Sequence, residues 1–287
     1  MATAPVDVAV PTQDQLADFA RDGFLVVRDA IPSEVVDRLL DASDRLMSSP
    51  ADPAREDHPE FGIRGYREPL LRADELLDVL APPTIVPLVV GVLGPNICLT
   101  GSELIYTDSP LPIRTPESNL WHRDRKVLEP DLAAAIPRMS LKSAYYLTDV
   151  SSPDAGMTLF APGSHRLAEP LHIEPDAIDP RDVVRPDVRP GDAVLFEHRT
   201  WHCQGFNGSG RVRKALFVEY GYRWLRRRFR DSSIPERLMA GRGPVERQLL
   251  GDLGPDPSYA QATGRGSNAI EEWCEEHGVP RGPLRDG

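Results

Sequence analysis

Residues 192–222 read DAVLFEHRTWHCQGFNGSGRVRKALFVEYGY and form the centre of the predicted β core. Two runs of β-type residues flank the dipeptide Asn207-Gly208, the strongest short-range signal for a β-hairpin turn. The pattern therefore predicts a hairpin whose first strand carries His202 and whose second strand carries Arg213. A two-residue turn and a four-residue loop give the same alternation, which places four side chains on one face. These side chains are His202, Gln204, Arg211 and Arg213.

The sequence WHRDR at residues 121–125 supplies further candidate metal ligands. In an extended segment, residues two apart point to the same side, so His122 and Asp124 project together. Two histidines and one carboxylate form the donor set of non-haem Fe(II) oxygenases, and His202 completes it. His198 lies four residues before His202 on the same side of a strand, so it is the alternative distal ligand. We favour His202 because it alone has an arginine at a suitable spacing.

An arginine beside such a donor set has a chemical meaning. The facial arrangement of three ligands leaves three open positions on the metal. A 2-oxo acid fills two of them through its ketone and C1 carboxylate, and O₂ takes the third. The far carboxylate then requires a cation, and Arg213 offers the bidentate, permanently charged partner that fits it. The residues thus predict iron, a 2-oxo acid and O₂.

The segments on either side of this region differ in pattern. From Asn96 onward, short β-type runs alternate with Pro, Gly, Asp and Ser, which is typical of antiparallel strands in a sandwich or barrel. Before it, the capping-box pair Thr12 and Gln15 predicts a first helix. Phe24–Val27 is predicted as a short strand, and Ser33 as the N-cap of a second helix. We therefore predict a mainly β fold with packed helices around a cupin-like jelly roll, a double-stranded β-helix.

Residues 1–287 are expected to form a single domain. Residues 48–66 and 107–119 are loop-like in composition, and we expect them to line the entrance to the site, the first as a loop or lid. The domain is expected to have three parts: a helical N-terminal part (about 10–95), a jelly-roll core (about 96–225) and a helical C-terminal extension (about 226–287).

Composition excludes several classes of partner. The 287 residues carry a net charge of −11 at pH 7, which argues against nucleic acid because phosphate contacts need clustered positive charge. No run approaches the roughly 20 apolar residues of a membrane span, and the start MATAPVDVAVPTQ lacks a basic signal-peptide region. Three scattered cysteines disfavour a thiolate metal site. We expect a cytoplasmic protein, monomeric or homodimeric, that acts on a small molecule.

Three stretches of the sequence carry a resemblance to a known family. They are WHRD (121–124), AYYLTDVSSPDAGMTLFAPGSHR (144–166) and PGDAVLFEHRTWHCQGFNGSGRVRKALFVEY (190–220). Together with the opening TQDQLADFARDGFLVVR (12–28), they resemble the phytanoyl-CoA dioxygenase family of Fe(II)/2-oxoglutarate-dependent oxygenases. The resemblance covers roughly residues 10–225.

The resemblance implies a set of iron ligands: His122, Asp124 and His202. It also implies that Arg213 anchors the cosubstrate 2-oxoglutarate, with Gln204 and Tyr145 beside that cosubstrate. The family sometimes adds a basic residue from before the β core, and Arg64 or Arg67 is the candidate here.

We expect an enzyme that decarboxylates 2-oxoglutarate to succinate and CO₂ and hydroxylates an unactivated C–H bond of a small metabolite. Desaturation, epimerisation and cyclisation are alternatives, because no motif records how the substrate is steered. Two other classes stay open: a cupin-like zinc or manganese lyase, isomerase or hydrolase, and a non-catalytic binding module. Thirty arginines against three lysines are typical of a GC-rich bacterial genome, which favours a natural-product intermediate from bacterial secondary metabolism as substrate.

Overall fold

The computed structural model describes residues 8–49, 52–110, 115, 120–124, 136–227, 234–252 and 268–284. Within these ranges, nine strands form two antiparallel sheets. The strands are β1 (Phe24–Val27), β2 (Arg55–His58), β3 (Ile63–Arg67), β4 (Ile97–Thr107), β5 (Ser140–Tyr146), β6 (Leu159–Phe160), β7 (Ala193–Glu197), β8 (His202–Cys203) and β9 (Arg213–Tyr222). Seven strands form the main sheet in the order β1-β7-β5-β9-β4-β3-β2, and β6 pairs with β8 in the minor sheet.

Helices pack on the main sheet and extend the C-terminal part of the chain. The α-helices of the described residues are α1 (Gln13–Asp22), α2 (Ser33–Met47), α3 (Val86–Leu93), α4 (Pro244–Leu249) and α5 (Ala269–His277). Short 3₁₀ helices cover Pro59–Phe61, Pro69–Leu71, Asp74–Val79, Ser164–Arg166 and Glu236–Leu238. None of the helices in the described part of the chain is long and apolar enough to cross a membrane.

The start of α1 follows the sequence pattern closely. The Thr12 hydroxyl accepts a hydrogen bond from the Gln15 backbone N–H at 3.1 Å. The Gln15 side chain accepts one in return from the Thr12 backbone N–H at 2.9 Å, which completes the capping box. The start of α2 differs, since Ser33 is the first helical residue and Pro32 occupies the N-cap position.

The two faces of the main sheet have different neighbours. On one face, which we call the helix face, Leu195 and Leu216 join a large apolar cluster with residues of α1, α2 and α3. On the opposite face, which we call the inner face, Phe196 and Phe217 form a second cluster with Phe160 of the minor sheet. Because side chains alternate along a strand, each residue of β5, β7 and β9 belongs to one of these two environments. The antiparallel sheets and their packed helices confirm the predicted mainly β fold.

The predicted hairpin at Asn207-Gly208 is wrong. Strand β8 pairs with β6 in the minor sheet, whereas β9 pairs with β4 and β5 in the main sheet, so the chain crosses between sheets. Asn207 is fully buried, and its side-chain amide donates to the backbone carbonyls of Thr107, Asp108 and Arg211. These bonds tie the crossover to the end of β4. A buried residue with three such partners does not occupy the exposed tip of a two-residue turn.

The expected loop or lid at residues 48–66 is also a misassignment. In the described part of residues 48–66, strand β2 pairs with β3, and β3 continues the main sheet by pairing with β4. Gly62 provides a left-handed turn between them, with φ of 61°. The strand β2 is polar because it lies at the sheet edge, where alternation of apolar residues is not required. Of the other expected entrance loop, residues 111–114 and 116–119 lie outside the described residues.

Candidate active site

Two histidines and an aspartate meet between the minor sheet and the inner face of the main sheet. One ligand atom from each of His122, Asp124 and His202 lies within 4.8 Å of the other two. The segment carrying the first pair runs beside β8, because His122 and His202 exchange backbone hydrogen bonds of 3.0 and 3.1 Å. The Asp124 backbone N–H donates to the His198 carbonyl at 3.1 Å, which fixes the segment further along. The structure therefore brings together the three residues proposed from the sequence.

Backbone carbonyls orient both histidine rings. The Nδ1 atom of His122 lies 2.9 Å from the Leu120 carbonyl oxygen, and the Nδ1 atom of His202 lies 2.9 Å from the Thr200 carbonyl oxygen. In each ring Nδ1–H donates to the carbonyl oxygen, which leaves the Nε2 atom for a metal. The Nε2 atom of His202 is 3.8 Å from Oδ1 of Asp124. Nitrogen and carboxylate donors of this kind fit iron, as a facial triad does.

Burial keeps the distal histidine in the state that binds a metal. The rings of Phe196 and Phe160 lie 4.9 and 6.0 Å from the His202 ring, centroid to centroid. Burial, together with the proximity of His122, lowers the pKa of His202 to about 4. At neutral pH the imidazole is therefore neutral, as a metal ligand must be.

The residue between the two proximal ligands points away from them. Arg123 donates to the Leu167 carbonyl at 2.6 Å, and its guanidinium lies 5.1 Å from the centre of the Trp201 ring. Trp201 immediately precedes His202 in the chain, so this contact joins the two ligand-bearing segments on the outer side of the minor sheet. The same alternation that turns His122 and Asp124 inward thus turns Arg123 outward.

Arg213 is a buried cation at the inner face. Its side chain donates to the hydroxyls of Thr107 at 3.3 Å and Thr158 at 3.1 Å, and its guanidinium lies 5.2 Å from the centre of the Tyr146 ring. The residue is 3% exposed, and burial lowers the pKa of its guanidinium. In the described ranges of the chain, no carboxylate lies within ion-pair distance of it. A buried charge without an opposite charge is costly, so this environment fits the carboxylate of a bound cosubstrate.

The two other residues expected beside the cosubstrate differ in position. The Gln204 side-chain carbonyl accepts a hydrogen bond from Thr107 at 3.1 Å, and Thr107 also accepts from Arg213, so Gln204 stays connected to the arginine. Tyr145, by contrast, belongs to the apolar cluster on the helix face. The expectation that Tyr145 contacts the cosubstrate is therefore corrected, because strand alternation turns it away from Arg213. Its neighbour Tyr146 lies on the inner face, with its ring beside the Arg213 guanidinium.

Three arginines with an open role are engaged elsewhere. Arg211 was expected to share a face with Arg213, but its side chain is 66% exposed and lies 4.0 Å from Asp149. Arg64 pairs with Asp108 at 2.6 Å. The third, Arg67, forms ion pairs with two glutamates, Glu56 and Glu103.

His198, the alternative distal ligand, has another task. It is fully buried, and its Nδ1 atom lies 3.1 Å from the Ser140 carbonyl oxygen. It is not part of the histidine and aspartate cluster, which contains His202. The geometry therefore favours His202 over His198 as the third ligand.

Sequence reasoning missed Lys142. This lysine lies on β5 with its side chain on the inner face, and its Nζ atom is 2.9 Å from Oδ1 of Asp124. Its neighbours across the sheet are Phe196 and Glu219. Lys142 is the only charged residue of the predicted core strand SLKSAYY, and this is the signal that would have drawn attention to it.

Comparison with known proteins agrees with this geometry. The family model described as phytanoyl-CoA dioxygenase (PhyH) matches residues 19–215. The chain belongs to this family. The iron/alpha-ketoglutarate-dependent dioxygenase penM of Penicillium thymicola is 25% identical over 251 residues, covering 80% of this chain and 74% of that protein. Membership of the family makes the protein an enzyme of the iron- and 2-oxoglutarate-dependent class, so the expected metal and cosubstrate are confirmed.

Two solved structures share the fold. HygX from Streptomyces hygroscopicus, with nickel, 2-oxoglutarate and hygromycin B bound, superposes with a TM-score of 0.60 at 19% identity, covering 76% of this chain and 90% of HygX. The epimerase SnoN, in complex with Fe³⁺, alpha ketoglutarate and nogalamycin RO, gives a TM-score of 0.57 at 20% identity, covering 86% and 91%. Both likenesses support the jelly-roll assignment.

Proposed function

We propose that this protein is an Fe(II)/2-oxoglutarate-dependent hydroxylase of a small metabolite. In this proposal His122, Asp124 and His202 hold the iron, and Arg213 anchors the far carboxylate of 2-oxoglutarate. When bound, the iron, 2-oxoglutarate and O₂ together supply the oxidising power that breaks an unactivated C–H bond, with succinate and CO₂ as coproducts. The protein's own residues orient these components and exclude water.

The observation that carries the proposal is the environment of Arg213. A metal triad alone is compatible with a zinc or manganese lyase, isomerase or hydrolase, which needs only a bound water at the metal. Such an enzyme gives no task to a buried guanidinium held by two threonine hydroxyls and an aromatic ring. A dicarboxylate cosubstrate does, because its far carboxylate supplies the missing negative charge. A binding module without turnover would not require both the metal triad and the buried Arg213.

The chain's residues prepare the site in two ways. The carbonyls beside Nδ1 of His122 and His202 hold each ring with its Nε2 atom directed inward. The hydroxyls of Thr107 and Thr158 hold the Arg213 guanidinium in a single orientation, which reduces the ordering cost when a carboxylate binds. The aromatic rings of Phe160 and the inner-face cluster keep this space apolar.

The class of substrate follows less directly. HygX is named with hygromycin B and SnoN with nogalamycin RO, so both structural neighbours bind natural products. We therefore propose a natural-product intermediate as the substrate. Because SnoN is an epimerase, epimerisation on the same site is the second candidate, and desaturation or cyclisation requires no different machinery.

The central test is anaerobic loading of the purified protein with Fe(II) and 2-oxoglutarate. We expect a weak visible charge-transfer band, followed by succinate formation once air is admitted. As a matched control, 2-oxobutanoate has the same ketone and C1 carboxylate but lacks the far carboxylate, so we expect it to bind far more weakly. Absence of both the band and succinate would overturn the proposal.

Product analysis then separates the reaction types. Incubation with a panel of natural-product intermediates is expected to give a product that has gained one oxygen atom. A product of unchanged mass with inverted stereochemistry would indicate epimerisation, and loss of two hydrogen atoms would indicate desaturation or ring closure. Turnover without consumption of O₂ would favour the lyase, isomerase or hydrolase class.

A further inference from the structure

Lys142 is a buried lysine in contact with a proposed metal ligand. It is 5% exposed and projects from the middle of the main sheet, where β5 is paired on both sides. Its Nζ atom lies 2.9 Å from Oδ1 of Asp124 and 3.5 Å from Oε2 of Glu103. Lysine is among the residues least often buried, and a buried ammonium requires close negative partners. Here one of those partners belongs to the triad.

The ammonium contacts the carboxylate oxygen of Asp124 that lies near His202. Oδ1 of Asp124 is the atom 2.9 Å from Lys142, and the same atom is 3.8 Å from Nε2 of His202. A cation held by the triad would therefore share the Asp124 carboxylate with the ammonium of Lys142. The Asp124 side chain is only 4% exposed, so water screens this competition poorly.

We propose that Lys142 is a positioning residue that acts as an internal counter-ion of Asp124 and lowers the affinity of the triad for divalent metal. The inference rests on the proposed function, because it assumes that Asp124 is a metal ligand. The lysine stabilises the buried carboxylates of Asp124 and Glu103 before a metal binds. It also draws electron density from the carboxylate, which leaves a bound divalent ion more electron-poor.

Two effects of removing Lys142 oppose each other. Loss of a hydrogen bond to a metal ligand typically weakens metal binding by about tenfold to a hundredfold. Removal of a like charge a few ångströms from a divalent ion acts in the other direction, and at the effective dielectric of protein sites it corresponds to about a thousandfold or more. The charge effect is the larger one, so we expect tighter binding.

A substitution of Glu103 should change the metal affinity in the direction opposite to that of Lys142→Met. The Glu103 carboxylate lies beside Lys142 and pairs with Arg67, so it offsets the positive charge around the site. The neutral Glu103→Gln variant leaves more positive charge near the triad and should weaken metal binding. A purely structural role for the pair Lys142 and Glu103 would instead move metal affinity in the same direction in both variants.

The experiment is a titration of the purified full chain with Mn²⁺ alone, with free Mn²⁺ followed by electron paramagnetic resonance. We expect the dissociation constant of Lys142→Met to fall by about tenfold or more and that of Glu103→Gln to rise by about tenfold. The matched control is Lys214→Met, since Lys214 pairs with Asp44 at 2.7 Å on the helix face, outside the site. Its dissociation constant should equal that of the wild type.

Thermal unfolding supplies a second measurement. The metal-free Lys142→Met protein should melt below the wild type, because Asp124 and Glu103 lose a positive partner, and Mn²⁺ should raise its melting temperature by more than in the wild type. Unchanged or weaker Mn²⁺ binding by Lys142→Met overturns the inference. If that variant does not fold, unchanged or tighter binding by Glu103→Gln overturns it. A wild-type protein that binds no Mn²⁺ contradicts the proposed function itself.

Discussion

The two faces of the main sheet assign opposite tasks to residues that are adjacent in sequence. On the inner face, Tyr146 and Arg213 contact each other beside the candidate cosubstrate position. On the helix face, Tyr145 packs in the apolar core, and Lys214 forms an ion pair with Asp44 of α2. The residue types within each pair are similar, so chemistry alone does not separate them. Alternation along β5 and β9 decides which residue can act on a ligand and which stabilises the fold.

The largest effect is expected when one of the three proposed metal ligands is removed. We expect His202→Ala to lose Mn²⁺ binding and to form no detectable succinate, because the metal loses one of three protein ligands. His198→Gln is the matched control, since His198 is equally buried four residues earlier and contacts Ser140 instead. Mn²⁺ titration checks both variants. Loss of binding in His198→Gln with retention in His202→Ala would reverse the ligand assignment.

The next largest effect concerns the neighbours Arg213 and Lys214. We expect Arg213→Gln to raise the KM for 2-oxoglutarate by about a hundredfold, because a charge-assisted bidentate pair is lost. Binding of Mn²⁺ should stay nearly intact. Lys214→Met should leave this KM unchanged and lower the free energy of unfolding by about 1 kcal/mol or less, since its ion pair with Asp44 is partly exposed. Steady-state succinate assays and urea unfolding measure the two quantities.

Loss of metal by Arg213→Gln would contradict this separation of tasks. It would mean that the arginine supports the triad rather than the cosubstrate. If Lys214→Met raised the KM for 2-oxoglutarate as much as Arg213→Gln does, the rise in both variants would reflect a general loss of stability.

A smaller effect distinguishes the two tyrosines. Tyr146→Leu and Tyr145→Leu should both lower the free energy of unfolding by about 2 kcal/mol, because each removes a fully buried ring. Of the two variants, only Tyr146→Leu removes an aromatic face near the Arg213 guanidinium, a contact that contributes about 1 kcal/mol, while the Phe217 ring stays in place. We therefore expect its KM for 2-oxoglutarate to rise about fivefold, while Tyr145→Leu keeps the wild-type KM. The opposite ranking would restore the original expectation for Tyr145.

The triad could be predicted from sequence because its geometry is local. Residues two apart in an extended segment share a side whatever the segment pairs with, so His122 and Asp124 required no knowledge of topology. The partnership of His202 with Arg213 was derived from a hairpin that does not exist. Both residues nevertheless lie on the inner side, because the crossover anchored by Asn207 returns the chain to the inner face.

Long-range contacts set the limit of that reasoning. Tyr145 and Tyr146 differ by one residue, and no turn or cap near β5 fixes which of them faces inward; pairing with β7 and β9 does. The contact between Lys142 and Asp124 joins two segments that are not paired with each other, so no sequence period reports it. Likewise, β2 is an edge strand, and its polar sequence resembles that of a loop.

The smallest expected effect tests how far the inner face extends around the cosubstrate. Among the described residues, Gln204 is linked to Arg213 through the Thr107 hydroxyl, which donates to the Gln204 side chain and accepts from the guanidinium. Gln204→Ala removes one neutral hydrogen bond, worth about 1 kcal/mol, and leaves Arg213 with both threonines. We therefore expect the KM for 2-oxoglutarate to rise about threefold to fivefold with Mn²⁺ binding unchanged. A rise as large as that of Arg213→Gln would mean that Gln204 itself contacts the cosubstrate, whereas no change would confine the cosubstrate site to Arg213 and its two threonines.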